Sequence, residues 1–456
     1  MTEKTVSKYL LTLEKHFTND NPVLLKAAKI FQDLDQLEYD LGLLEEDDTT
    51  ASKSSWWPIV SLIGGNSTAK SRFINNYLGT EQLTSGIQTA AHKFTVLLHN
   101  NQPSSVTLPG TALDVDHRYP FYQISQKIEQ AQKGEGNRIN AYLELKTIHS
   151  ERLKGKLFVE TPNMSVSQLN PIDLLLTKHT IESSDLVLVF TDVFDSITPL
   201  VNELIQQIIL YQDSNRFVFV VEQSAAFATP ANSHDIIAAA QRKLSDLGIN
   251  AGQFIALSSQ QASVDFTEID HRMENVIHDR TYRVLSYLEK SIHDLQDIVI
   301  AEVRKDIIVW KERSNMSSLI ILGFIAFVSV LIEVEIGLLE FLIDPVIGPI
   351  ILVTLIAVML PLHLIISRLQ AKFIITRLDK RQKQLQITEN LANLFERNLT
   401  IGRMLLPVTE PVGWNKKTRN RLAHLLDNIK DLVQSLNDDF GSYDEQSLKD
   451  YLDSIK

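Results

Sequence analysis

Cysteine is absent from all 456 residues. Its absence excludes a disulfide framework, a thiolate metal site and a thiol nucleophile, and it fits a reducing compartment. Positive charge is in deficit: 44 Lys and Arg face 56 Asp and Glu, for a formal net charge of -12. A nucleic-acid partner calls for a basic stripe that neutralises phosphates; none emerges, so no nucleic acid is expected. The first residues, Met1 to Lys8, hold no apolar core segment, so no secretory signal is expected there. The 12 histidines include no H-E-x-x-H and no other ligand-spaced pair beside a carboxylate, and they read as surface or packed residues. Internal repeats and low-complexity tracts are absent as well.

What is present begins with Pro58-Ile-Val-Ser-Leu-Ile-Gly-Gly-Asn-Ser-Thr-Ala-Lys-Ser71. A buried apolar strand runs into a small-residue loop that ends in Lys-Ser and opens a helix. That is the layout of a phosphate-binding P-loop, G-x-x-x-x-G-K-[ST], with Ala69 in place of the second glycine. In such a binding loop, opened by Gly64, the backbone N–H groups of Gly65, Asn66, Ser67, Thr68, Ala69 and Lys70 would wrap the phosphates. Lys70 would neutralise charge, the Ser71 hydroxyl would hold Mg²⁺, and a helix beginning near Ser71 would aim its positive end at the ligand. A methyl at Ala69 would crowd a backbone that must hug phosphate, at a cost of roughly 1–3 kcal/mol if φ there were positive.

Two uncharged apolar runs, Met316 to Ile332 and Pro345 to Ser367, lie late in the chain. At 1.5 Å per residue the second is long enough for a ~30 Å hydrocarbon core and the first somewhat short. Between them stand Glu333, Glu335, Glu340 and Asp344; outside them stand Arg304, Lys305, Lys311 and Arg313, then Arg368, Lys372, Arg377, Lys380, Arg381 and Lys383. The positive-inside bias predicts a membrane hairpin of two spans whose flanks, with the head and both termini, are cytoplasmic; because Glu333 and Glu335 crowd the short first span, the hairpin either crosses fully or lies re-entrant. The Arg377–Lys383 run reads as a flank for anionic headgroups. His363, inside the second run, is either functional or a helix-packing residue.

Apolar periodicity divides the rest. Residues 1–45 read as two helices of a bundle, and Glu45 to Ser55 as an acidic-polar linker. Residues 56–260 alternate strands and helices, as a doubly wound α/β domain does. The expected strands are Ile59–Ile63, Phe94–Leu98, Tyr142–Ile148, Leu157–Val159, Leu186–Phe190, Phe217–Val221 and Phe254–Leu257. Residues 263–313 form a helical stalk, 316–367 the hairpin and 368–456 a carboxyl-terminal stalk. Within the α/β part, strand Leu157–Val159 ends in Glu160-Thr-Pro-Asn163 where a P-loop NTPase has D-x-x-G. Glu160 can still take an outer-shell Mg²⁺ role. N-K-x-D is replaced by Glu222-Gln-Ser-Ala225, leaving no visible basis for strict guanine selection. Ser258 and Ser259 stand where a loop over the base would lie.

Gly64 to Ser71 resembles the G-Q-Y-S-T-G-K-T loop of the EHD family, dynamin-related ATPases that carry an EH domain. Leu108-Pro-Gly-Thr-Ala-Leu-Asp-Val-Asp-His-Arg-Tyr-Pro-Phe121 is similar, without a gap, to that family's I-P-G-N-A-L-V-V-D-x-x-x-P-F. Gly86 to Phe94 would be switch I; the family's two threonines fall on Ala90 and Ala91, which leaves Thr89 as the switch candidate. No EH domain is recognisable, and the hairpin resembles that of bacterial dynamin-like proteins and mitofusins. The resemblance implies a dynamin-type P-loop head on a helical bundle, binding Mg²⁺ with GTP or ATP. It also implies nucleotide-driven homodimers or homo-oligomers acting on a lipid bilayer. Thr89 and Glu160 would be the catalytic residues, and Ser71 and Glu160 the metal residues. The drifted motifs imply slow hydrolysis or a fold that outlived its chemistry. A nucleotide-independent membrane scaffold with a relic head, and an Era-like regulatory GTPase with a membrane anchor, remain the competing readings.

Overall fold

The computed structural model describes residues 7–45, 48–64, 67–80, 93–102, 104–116, 118–163, 170–194, 198–223, 233–258, 266–336, 344–385, 387 and 389–454. The chain divides into two compact units, residues 52–284 and residues 1–51 with 285–456. Two antiparallel helices open the second of these, α1 (Lys8–Asp20) and α2 (Pro22–Leu41). Asn21 separates them because its carboxamide oxygen accepts the N–H groups of Val23 (3.1 Å) and Leu24 (3.0 Å), while Pro22 cannot continue the preceding helix. Gly42, at φ 77°, ends α2 in the left-handed conformation that glycine adopts without a Cβ penalty. The expected acidic linker is partly docked instead. Thr49 Oγ1 donates to Asp35 Oδ2 at 2.6 Å and Thr50 Oγ1 to Glu38 Oε2 at 2.7 Å, because both carboxylates are buried on α2 and need donors.

The other unit is built on an eight-stranded sheet of order β3-β4-β2-β5-β1-β6-β7-β8. Its strands are β1 (Ile59–Ile63), β2 (Phe94–His99), β3 (Val106–Pro109), β4 (Leu143–Ile148), β5 (Leu157–Glu160), β6 (Leu186–Phe190), β7 (Phe217–Gln223) and β8 (Gln253–Ser258). β2 runs antiparallel to β5 and β3 antiparallel to β4; the other neighbouring pairs are parallel. The helices are α3 (Ser67–Leu78), α4 (Thr111–Asp114), α5 (Ile124–Ala131), α6 (Pro171–Ser183), α7 (Pro199–Tyr211), α8 (Ser233–Asp246) and the start of α9 (Thr267–Asp294).

Successive side chains of β1 point to opposite faces. Val60 and Leu62 join α3 (Phe73, Ile74, Tyr77) and α9 (Ile269, Met273, Val276) on one face. Ile59 and Ile63 face the layer formed by α5, α6, α7 and α8 on the other. With both faces covered, the central strands read as continuous apolar runs rather than alternating ones. The edge strand β3 is absent from the expected set. Its four residues are all exposed, so no burial pattern marks it.

α9 is pinned to the amino-terminal edge of the sheet by Asp185. One Asp185 carboxylate oxygen accepts from Ile59 N–H (2.8 Å) and Arg280 Nε (2.9 Å), and the other pairs with Arg283 at 3.1 Å. Arg280 also caps α6, donating to the Ser183 carbonyl at 2.7 Å.

In the helical unit α9 continues through a π-helical turn, Leu295–Ile300, into α10 (Ala301–Ile336). The remaining helices are α11 (Ile347–Leu385), α12 (Leu391–Glu396), α13 (Ile401–Leu405) and α14 (Lys416–Ser454). α10 and α11 pack against each other, joined by polar contacts at the base of their apolar runs. Trp310 Nε1 donates to the Ser367 carbonyl at 2.8 Å, Ser318 meets His363 Nδ1 at 2.7 Å and Gln370 donates to Ser317 at 2.7 Å. His363 is thus a helix-packing residue. Both helices are long and apolar enough to cross a membrane, and only 6% of each apolar window is buried within the protein.

Candidate functional site

β1 is the central strand on which the sheet order turns: β5 and β2 lie on one side, β6 and β7 on the other. Ligands of open α/β sheets bind at the carboxyl ends of the strands at such a point. The chain leaves β1 there, and β5 ends beside it, with Leu62 in register with Glu160. The ladder extends one residue further, because Thr161 N–H and Oγ1 both donate to the Leu62 carbonyl at 3.1 Å.

Three side chains converge at this edge. Ser71 Oγ donates to Glu160 Oε1 at 3.0 Å, and Lys70 Nζ donates to the Thr161 carbonyl. All three are buried: Lys70 is 0% exposed, Ser71 3% and Glu160 2%. Burial raises the Glu160 carboxyl above the usual range, and the nearby Lys70 ammonium and the Ser71 hydroxyl pull it back. Gly64 makes room for this arrangement. A Cβ there would lie 3.0 Å from Cγ and Cδ of Lys70, so a side chain at this position would push the lysine stem aside by a few tenths of an ångström.

The other expected residues divide cleanly. Gly65, Asn66, Ser259 and Thr89 lie outside the described residues. The backbones of Ser67 and Thr68 open α3, and that of Ser258 ends β8. The helix therefore begins at Ser67, four positions ahead of the expected start near Ser71. Ala69 sits inside this helix and its methyl packs against the core of the α3 face. Its φ is not positive, since Gln123 and Asn215 are the non-glycine residues with positive φ among those described. The expected clash at Ala69 therefore does not arise: a helical backbone turns the methyl toward the core.

Thr161 was invisible to motif reading because it contributes a main-chain carbonyl, which leaves no side-chain signature. The Pro109–Phe121 block turns out to be a packing device. Leu113 and Phe121 are fully buried under β2, β4 and β5, and a Cβ on Gly110 would lie 2.7 Å from the Leu143 carbonyl oxygen.

Ser71 Oγ and Glu160 Oε1 suit Mg²⁺ by chemistry: both are hard oxygens, Ser71 fitting a direct ligand and Glu160 an outer-shell acceptor from a metal-bound water. Among the described residues no group of three or more His, Asp or Glu could hold a metal by itself. An ion held mainly by phosphate oxygens and water has no need of one.

No family model matches the chain, and no curated protein matches it. Solved structures do match. Two of them, both described as an oligomerised bacterial dynamin pair for long-range sensing and tethering of membranes, are 14% and 15% identical, with TM-scores of 0.35 and 0.36. Each match covers 98% of this chain and 78% of the other. At these values, what the chain does has to be argued from its own residues.

Proposed function

We propose that the chain is a membrane-anchored, dynamin-type P-loop protein that binds a nucleoside triphosphate with Mg²⁺. The observation that carries this is the convergence of Lys70, Ser71 and Glu160 at the carboxyl edge of β1, where the sheet order turns. A β- or γ-phosphate would replace the Thr161 carbonyl as the partner of Lys70, and the first-turn N–H groups of α3 would face it. Ser71 and Glu160 would hold Mg²⁺, which supplies charge neutralisation at the phosphates. Glu160 must ionise for that role, so the bound cation lowers a carboxyl that burial otherwise raises. Either ATP or GTP fits, because no Asp follows β7 to read guanine.

The apolar hairpin of α10 and α11 would anchor the chain in a bilayer, with the basic flanks and the α/β unit on the cytoplasmic side. Nucleotide-dependent pairing of two such α/β units would couple the site to membrane organisation, with slow turnover. The second reading, a membrane scaffold that no longer uses nucleotide, is favoured by one observation. Lys70 already has a hydrogen-bond partner and no exposure, so phosphate must displace an existing contact.

Retention of labelled ATP and GTP by the purified full chain, with and without Mg²⁺, tests the proposal. Glu160→Gln should abolish the Mg²⁺ dependence. It should also lower the melting temperature, because it leaves the buried Lys70 ammonium without its nearby carboxylate. No retention of either nucleotide by the wild type would favour the scaffold, and retention that ignores Mg²⁺ would count against the metal role of Ser71 and Glu160.

A further inference from the structure

The segment of α13 and Leu406–Val408 is inside out for a protein surface in water. Its charged residue turns inward: Arg403 Nη1 donates to the buried Asn398 Oδ1 and, at 2.8 Å, to the Glu410 carbonyl. Its large apolar residues turn outward, with Ile401 56% exposed, Leu405 48% and Leu406 58%. Met404 is the exception, buried at 5% exposure, and it anchors the turn. Single exposed apolar residues are ordinary, but consecutive ones opposite an inward arginine mark a contact surface.

The position of the segment says what the contact is. Lys311 on α10 donates from Nζ to the carbonyls of both Leu406 and Val408, and Arg304 pairs with Glu410 at 3.1 Å. α13 itself packs against α11. Lys311 precedes Met316, the start of the first apolar run, by a rise of only ~7.5 Å. The exposed leucines are therefore held just below the level at which α10 and α11 become lipid-like. Further from the apolar runs, by a rise of ~15–21 Å, Lys305, Arg377, Lys380 and Arg381 line a groove of about 790 Å³ in which Arg377 pairs with Asp306 and Arg381 with Glu302. That concentration of cations complements anionic headgroups.

We propose that Ile401–Val408 is a third membrane contact: a short wedge that seats Ile401, Leu405, Leu406 and Val408 in the interfacial layer of an anionic bilayer beside the hairpin base. The proposal rests on the reading of α10 and α11 as a membrane hairpin. The wedge would fix how deep the hairpin sits, since the inward Arg403 and the two Lys311 contacts hold it rigidly to the helices that enter the lipid.

Because the chain contains no cysteine, one introduced cysteine is a unique label site. The full chain is reconstituted in vesicles of phosphatidylcholine and phosphatidylglycerol, carrying an environment-sensitive fluorophore at Leu406→Cys, at Phe327→Cys on α10 or at the exposed Asn420→Cys on α14. Nitroxide lipids place the quencher either near the headgroup or at the acyl-chain end. The label at 406 should emit blue-shifted and be quenched more by the shallow nitroxide than by the deep one. The label at 327 should show the reverse preference, and 420 should be quenched by aqueous iodide alone. If 327 is quenched by the deep nitroxide while 406 behaves like 420, the wedge is refuted and the hairpin stands. If 327 also behaves like 420, hairpin and wedge fall together.

Discussion

Asp185→Asn would strip the counter-ion from an arginine that has almost no access to water. The Asp185 side chain is 0% exposed and that of Arg280 4%, and they meet at 2.7 Å. Removing one partner of a buried pair leaves an uncompensated charge and costs roughly 3–5 kcal/mol. Burial already pulls the Arg280 pKa down, with Asp185 as the opposing attraction, which marks the guanidinium as dependent on this carboxylate. The second arginine supplies an internal control. The Arg283 side chain is 34% exposed, so Arg283→Gln should cost no more than about 1 kcal/mol. For a unit of this size 1 kcal/mol corresponds to ~2–4 °C. Asp185→Asn should therefore lower the melting temperature of the α/β transition by about 6–20 °C, and Arg283→Gln by about 4 °C or less. Circular dichroism melts of the full chain in detergent read both. Equal shifts for the two variants, or a loss below about 1 kcal/mol for Asp185→Asn, would refute the claim that this clamp holds α9 to the sheet.

Gly110→Ala should destabilise the α/β unit by roughly 1–3 kcal/mol in the same melts, because the new Cβ would meet main-chain atoms that cannot move aside. Gly402→Ala, with nothing within 4 Å of its Cβ, should be neutral or stabilising by about 1 kcal/mol. His179 donates to the Pro120 carbonyl at 2.6 Å, and burial pushes its pKa down to about 4. Below its ordinary value of about 6.5 the unfolded chain binds a proton that the folded chain refuses, so stability must fall as pH drops from 6.5 toward 4. His179→Gln should remove a component on the order of 2–3 kcal/mol from that acid loss; urea titrations of both proteins across this window would expose an unchanged slope as a failure.

The strands were legible wherever a full face was buried: the expected Ile59–Ile63 and Leu186–Phe190 coincide with β1 and β6, whose residues are all buried. β3 was not legible, since an exposed edge strand of four residues carries no pattern. The linker after Glu45 reads as solvated from its charges, yet Asp35 and Glu38 on α2 draw two of its threonines down, a demand written elsewhere in the chain. At the site, Lys70 and Ser71 were readable from loop spacing and Glu160 from its place at the end of a strand, and the structure brings the three together. The cost at Ala69 was tied to a positive φ in a loop running to Ser71, and helix geometry from Ser67 removes that condition by sending its methyl to the core. Thr161 and the inward turn of Arg403 depend on main-chain carbonyls brought close by the fold, which no local pattern encodes.

Calorimetric titration of Mg²⁺-ATP and Mg²⁺-GTP into the full chain, wild type and Lys70→Ala, probes the proposed site most directly. A charge-assisted contact of this kind contributes roughly 1.5–3 kcal/mol, so losing it should weaken binding about 10- to 100-fold. Saturable binding of one nucleotide per chain, abolished by chelating Mg²⁺ and weakened to that extent in Lys70→Ala, is the expected result. No binding of either nucleotide, or equal affinity in the two proteins, would contradict it.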